Sequence, residues 1–86
     1  MTNEQMHREV EHFIKDNFVF DDKRQLKEDE TLLGAGIVDS TGVLEIIAFL
    51  ENTYQVRFDD QDLVAENFDS VSRIVRFMSK KLELAN

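Results

Sequence analysis

The chain has 86 residues, a formal charge of −8, and neither cysteine nor proline. That is enough for one small core and no second one, it rules out disulfides and thiolate metal sites, and the acid excess argues against nucleic acid, whose phosphates need clustered Lys and Arg. No run approaches the roughly 18 apolar residues that span a bilayer, and charges from Glu4 onward break any signal-peptide pattern, so a cytoplasmic protein without membrane insertion is expected.

The first helix opens on Thr2-Asn3-Glu4-Gln5, a capping box in which Thr2 and Gln5 satisfy free amide donors. Met6, Val10, Phe13 and Ile14 fall on one face at i, i+4, i+7 and i+8, and the helix is predicted to end near Asn17-Phe18. A polar connection follows over about residues 19–38, containing "DDKRQLKEDE" and "TLLGAGIV". It is longer than most loops in compact domains, so it should be anchored or functional. Leu32, Leu33, Ile37 and Val38 are the expected anchors.

In the second helix Val43, Ile46, Ile47, Leu50 and Tyr54 form the predicted buried stripe. Thr41, Leu44 and Ala48 then lie on nearly the opposite side, beside Ser40 and Glu45, as a small apolar patch facing solvent. "DDQDLVAEN" reads as one short helix capped by Asp59 or Asp60. The last helix starts at "DSVSRIVRFMSKKL", with Val71, Ile74, Val75, Met78 and Leu82 inside and Lys80 and Lys81 near its end, where they suit the helix dipole. The prediction is an all-α small four-helix bundle, three longer helices and one short, with a long loop after the first. It forms a single domain over residues 1–86 with its core at about 3–83.

Catalysis and metal binding find little support. His7 and His12 are five residues apart and point about 140° away from each other, so both are expected to be solvated rather than ligands. "DDQDL" fails the calcium-loop pattern at its third ligand, and Gly34 and Gly36 match neither a phosphate loop nor a dinucleotide fingerprint. No nucleophile has a recognisable base partner nearby. No metal and no catalytic residue is assigned. Phe49 and Phe77 flank the stripes and read as core-edge packing, and the acid clusters at 28–30 and 59–62 read as solvated surface with caps among them.

Charge is uneven along the chain: residues 39–66 hold seven acids against Arg57 alone, whereas residues 69–84 hold Arg73, Arg76, Lys80 and Lys81 against two acids. The acidic part favours basic protein partners, steered electrostatically. Two Asp-Ser pairs, Asp39-Ser40 and Asp69-Ser70, each precede an apolar run of helical period, and both suit a helix N-cap. Only the first follows a glycine-bearing loop, and only the first has acidic surroundings.

The stretch "GAGIVDSTGVLEIIAFLENTYQVRFDDQDL" resembles acyl carrier and peptidyl carrier proteins, whose attachment motif is a G-x-D-S-[LM] stretch opening the second helix. It reads here as Gly36-Ile37-Val38-Asp39-Ser40-Thr41, with one residue more between Gly and Asp. Leu50-Glu51, Tyr54 and Val56-x-Phe58 resemble a further family run, and "NFDSVSRIVRFM" resembles its last helix, so the likeness covers about residues 32–82. The resemblance implies a non-catalytic carrier whose Ser40 receives 4′-phosphopantetheine from coenzyme A through a phosphopantetheinyl transferase. The arm then holds acyl or aminoacyl groups as thioesters. It implies Asp39 as cap and motif residue, with a part in orienting Ser40 or holding the transferase's metal. Gly42 would keep the surface low beside the arm. Thr41, Leu44, Glu45 and Ala48 would form the face read by an adenylating enzyme and by downstream acyl-transfer or condensing enzymes, and a monomer is expected. Thr41 replaces the usual Leu or Met, Gly42 is a poor helix former, Asp59 stands where many relatives have proline, and the second helix has only two acids. These departures favour a specialised polyketide, peptide or aminoacyl pathway over the alternative of housekeeping fatty-acid synthesis. An unmodified helical adaptor, docking its second helix into a partner groove, is the competing reading from another class.

Overall fold

Three α-helices and one turn of 3-10 helix make up the regular structure of the computed structural model, which describes residues 2–19 and 26–85 and side chains up to Leu82. Residues 20–25, part of the predicted polar connection, lie outside the described residues. Helix α1 (Asn3–Phe18) begins with the predicted capping box: the Gln5 amide donates to Thr2 Oγ1 at 3.2 Å, and Gln5 Oε1 accepts from the Thr2 amide at 2.9 Å. Met6, Val10 and Ile14 are buried and Phe13 is half-buried. Helix α2 (Ser40–Tyr54) ends at Gln55, whose left-handed backbone (φ 55°) lets its amide and that of Val56 both reach Glu51 O. Helix α3 (Val71–Ala85) packs on α1, and the 3-10 turn (Ala65–Phe68) packs on α3 and α2.

The core is one cluster: Met6, Val10 and Ile14 from α1, Ile46 and Leu50 from α2, Val71, Ile74, Val75 and Met78 from α3, with Leu26, Leu32, Val38 and Phe68 from the connections. Phe58, Phe68 and Phe77 meet with ring centroids 5.5–5.7 Å apart, joining the segment after α2 and the 3-10 turn to α3, while Phe13 stacks on Phe49 at 4.1 Å. Both Phe49 and Phe77 thus pack at the core edge as predicted.

Five expectations change. The fully buried line of α2 is Gly42, Ile46 and Leu50, with Val43, Ile47, Phe49 and Tyr54 half-buried beside it, so the stripe is turned by roughly 60° from the predicted one. The Phe13–Phe49 stack accounts for the turn, because it draws that side of α2 against α1. The predicted short helix at residues 59–67 is instead a turn followed by the 3-10 turn. The amides of Asp62 and Leu63 bond three residues back, to Asp59 O and Asp60 O, and Asp62 Oδ2 accepts from both the Asp59 amide and Lys81 Nζ. Asp62 is therefore a tie between segments rather than solvated surface. Lys80 and Lys81 lie a full turn before the end of α3, so Lys81 serves this ion pair (2.7 Å) and not the helix terminus. Finally, His12 is solvated and pairs with Asp16, but His7 is not a free surface residue: its Nε2 is enclosed 3.3 Å from Glu28 Oε2, and its Nδ1 is 3.6 Å from Glu11 Oε2. No group of three candidate metal ligands occurs among the described residues.

Candidate functional site

The segment before α2 is held from two sides. Leu32 is fully buried and Val38 nearly so, with Leu33 and Ile37 half-buried, so the four apolar residues anchor the loop to the bundle. Between the anchors the chain folds on itself: the Ala35 amide reaches Thr31 O, that of Gly36 reaches Leu33 O, and those of Ile37 and Val38 both reach Leu32 O. Gly36 takes φ 74°, a left-handed conformation that costs a side-chain-bearing residue about 1 kcal/mol or more. The loop thus returns on itself and delivers residues 39 and 40 to the start of α2.

Asp39 is the N-cap: its Oδ1 accepts from the Gly42 amide at 2.7 Å and its carbonyl from the Val43 amide at 3.0 Å. Ser40 is the first helical residue and is exposed, and its hydroxyl makes no hydrogen bond among the described residues. The Ser40 and Thr41 amides likewise find no acceptor among those residues, leaving donors and the positive end of the helix dipole beside that hydroxyl. Thr41, Leu44, Glu45 and Ala48 are all exposed, Leu44 by 65%, and lie on the side of α2 away from the core.

Ser70 has the opposite setting. It is 2% exposed, its Oγ accepts from the Arg73 amide at 3.1 Å, and it contacts Ser72 Oγ at 3.2 Å. Its hydroxyl is committed to starting α3. Asp69 faces the loop instead: its carbonyl accepts from the Leu32 amide at 2.6 Å and its Oδ1 from the Leu33 amide at 3.3 Å. Ser72 continues the seam, its amide donating to Glu28 O and its hydroxyl to Asp29 Oδ1.

Gly42 is a correction. It does not lower the surface beside Ser40 but is buried beneath it, and an added Cβ would lie 2.7 Å from Val38 Cγ1 and 2.9 Å from Phe18 Cε1. A glycine in the first turn of a strong helix pattern was the available signal for such a close approach. The Asp69 contacts span 36 residues and leave no local pattern. Leu63 and Val64, 44% and 46% exposed just before the 3-10 turn, are two further outward apolar residues that helical spacing could not place.

No family model matches the chain. It is 33% identical over 60 residues to the D-alanyl carrier protein of Streptococcus uberis, a match covering 70% of this chain and 75% of the relative. It is also 33% identical over 48 residues to the D-alanyl carrier proteins of Streptococcus pyogenes serotypes M5 and M1, covering 56% of this chain and about three-fifths (61%) of each relative.

Proposed function

We propose, because this chain belongs to the carrier proteins of the acyl and peptidyl carrier type, that Ser40 bears a 4′-phosphopantetheine arm on which aminoacyl groups travel in a dedicated pathway. The observation that carries the reading is the exposed Ser40 hydroxyl, without a hydrogen bond among the described residues, at the first position of a capped helix that follows an anchored loop. The relatives are named for D-alanine, which makes a small amino acid the first cargo to try.

The residues fit the group. A phosphodiester on Ser40 would meet the Ser40 and Thr41 amides, which have no acceptor among the described residues, and the helix dipole, both favourable to an anion. Asp39 spends its carboxylate on the Gly42 amide, fixing the turn so that Ser40 points outward. In the modification, Ser40 Oγ forms a bond to the phosphorus bearing the pantetheine of coenzyme A, the pyrophosphate linkage breaks, and adenosine 3′,5′-bisphosphate leaves. The serine proton goes to a base of the phosphopantetheinyl transferase, since Ser40 has no basic partner among the described residues. The arm supplies a terminal thiol for thioester linkage, and this chain supplies position and recognition.

Leu44 and Ala48 give partners a small apolar contact, with Glu45 as a steering charge and Thr41 as a polar substitute for a gripped hydrophobe. The partners are the transferase, a cytoplasmic adenylating enzyme that loads the thiol, and a downstream acyl-transfer or condensing enzyme. The carrier itself works as a monomer and a single domain.

Modification with coenzyme A and a broad-specificity transferase, followed by tryptic mapping, tests this reading. Cleavage at Arg57 separates the two Asp-Ser pairs, and the added group is expected in the peptide containing Ser40. A group on the Ser70 peptide, or on neither, contradicts it.

A further inference from the structure

We infer that Asp69 is a positioning residue for Ser40, so that the second Asp-Ser pair holds the first in place. The inference rests on the carrier reading above and deepens it. Asp69 grips the loop at two consecutive amides, those of Leu32 and Leu33, with its carbonyl and its carboxylate. The Leu32 carbonyl then takes the amides of Ile37 and Val38, at 2.9 and 3.1 Å, so one peptide link separates the Asp69 contact from the segment that enters α2. Val38 is 3% exposed and lies under Gly42, the residue whose amide Asp39 caps. Each step is a hydrogen bond or a close packing contact, and the chain of contacts ends at Asp39-Ser40.

Asp69 is well suited to this. Only Ser70 separates it from α3, which packs on both α1 and the 3-10 turn, so the residue that grips the loop is carried by a well-packed helix of the bundle. The Ser72 contacts to Glu28 and Asp29 fasten the earlier part of the same connection, but none of them touches residues 32–38. Losing the Asp69 carboxylate would leave the Leu33 amide part-buried and unpaired, and the loop would spend more of its time in conformations where Ser40 is misplaced. A transferase that needs the held conformation then meets fewer competent molecules, which raises its KM for the carrier and leaves kcat unchanged.

The test compares Asp69→Ala, Asp69→Asn and Ser70→Ala with the unaltered chain, unmodified and below the melting range. Amide hydrogen exchange is read by NMR. In Asp69→Ala the amides of Ile37, Val38 and Gly42 should exchange about tenfold faster, the ratio to which one hydrogen bond of about 1.4 kcal/mol converts. Val10 and Ile14 in α1 should change less. Asp69→Asn keeps an acceptor oxygen and should restore protection. Ser70→Ala, which removes the α3 cap and not the loop contact, should leave Ile37, Val38 and Gly42 near their original rates. Exchange at these three amides that is unchanged in Asp69→Ala, or raised equally in Ser70→Ala, overturns the inference. With coenzyme A and a transferase, Asp69→Ala should raise KM at constant kcat by the ratio of the held fractions in the two chains, which is at most the exchange ratio, and a fall in kcat at unchanged KM overturns it. If the unaltered chain accepts no group at all, the carrier reading fails, while the exchange measurement still decides whether Asp69 holds the segment leading into α2.

Discussion

Gly42 answers to two opposing demands. Helix propensity favours alanine there by up to about 1 kcal/mol, whereas an added methyl would meet Val38 Cγ1 and Phe18 Cε1 at under 3 Å, and overpacking costs about 1–3 kcal/mol. Val38 is buried and branched at Cβ, so it yields poorly, and the packing term wins. Gly42→Ala should lower stability by about 1 kcal/mol, a fall in Tm of roughly 4–8 °C for a chain of this size, and a higher Tm would show that the first turn has room. The same scale shows what could be read in the sequence. The glycine was noticeable, but its neighbours belong to other segments, and helical spacing does not report them. Likewise both Asp-Ser pairs looked like caps, and both are caps. What separates them is burial: Ser40 is exposed and Ser70 is 2% exposed, a difference set by what packs over each position.

Among the elements, α1 and α3 follow their patterns closely because each has a narrow apolar face and a side-chain cap that the sequence displays. Helix α2 is apolar over more of its surface, so its periodicity left its rotation loosely determined, and an aromatic stack with α1 settled it. The segment after α2 read as a short helix and is instead a turn and a 3-10 turn, for a related reason. Its acids suit a helix N-terminus, but Asp62 binds Lys81 across 19 residues and closes a turn locally. That tie has a pH signature. The hydrogen bond from Lys81, with the Asp59 amide adding to it, holds the Asp62 carboxyl below its ordinary range. A lowered folded-state value means the contribution is fully present above the unfolded value of about 3.9 and is lost as pH falls through the folded one. The Tm gap between the unaltered chain and Asp62→Asn should therefore be constant from neutral pH to about 5 and shrink in stronger acid. A gap that widens on acidification would contradict the assignment.

Over the whole molecule, charge and site coincide. The net charge is −8, and seven of the acids fall within residues 39–66, the segment that begins at the proposed attachment pair. Self-repulsion in that segment should make the protein less stable at low ionic strength, so Tm should rise with added salt or Mg²⁺, and a flat response would remove this account of its electrostatics. The motif, the order of the helices and the long first connection were legible in the sequence, because each depends on local spacing. The coupling between the two Asp-Ser pairs was not, because it depends on α3 and the loop meeting in space. The central claim is that Ser40 alone carries the arm, and intact mass after incubation with coenzyme A and a broad-specificity transferase tests it most directly. The account predicts a gain of one phosphopantetheinyl group in the unaltered chain and in Ser70→Ala, and none in Ser40→Ala. No gain in the unaltered chain with an active transferase, or a gain that persists in Ser40→Ala, would contradict it.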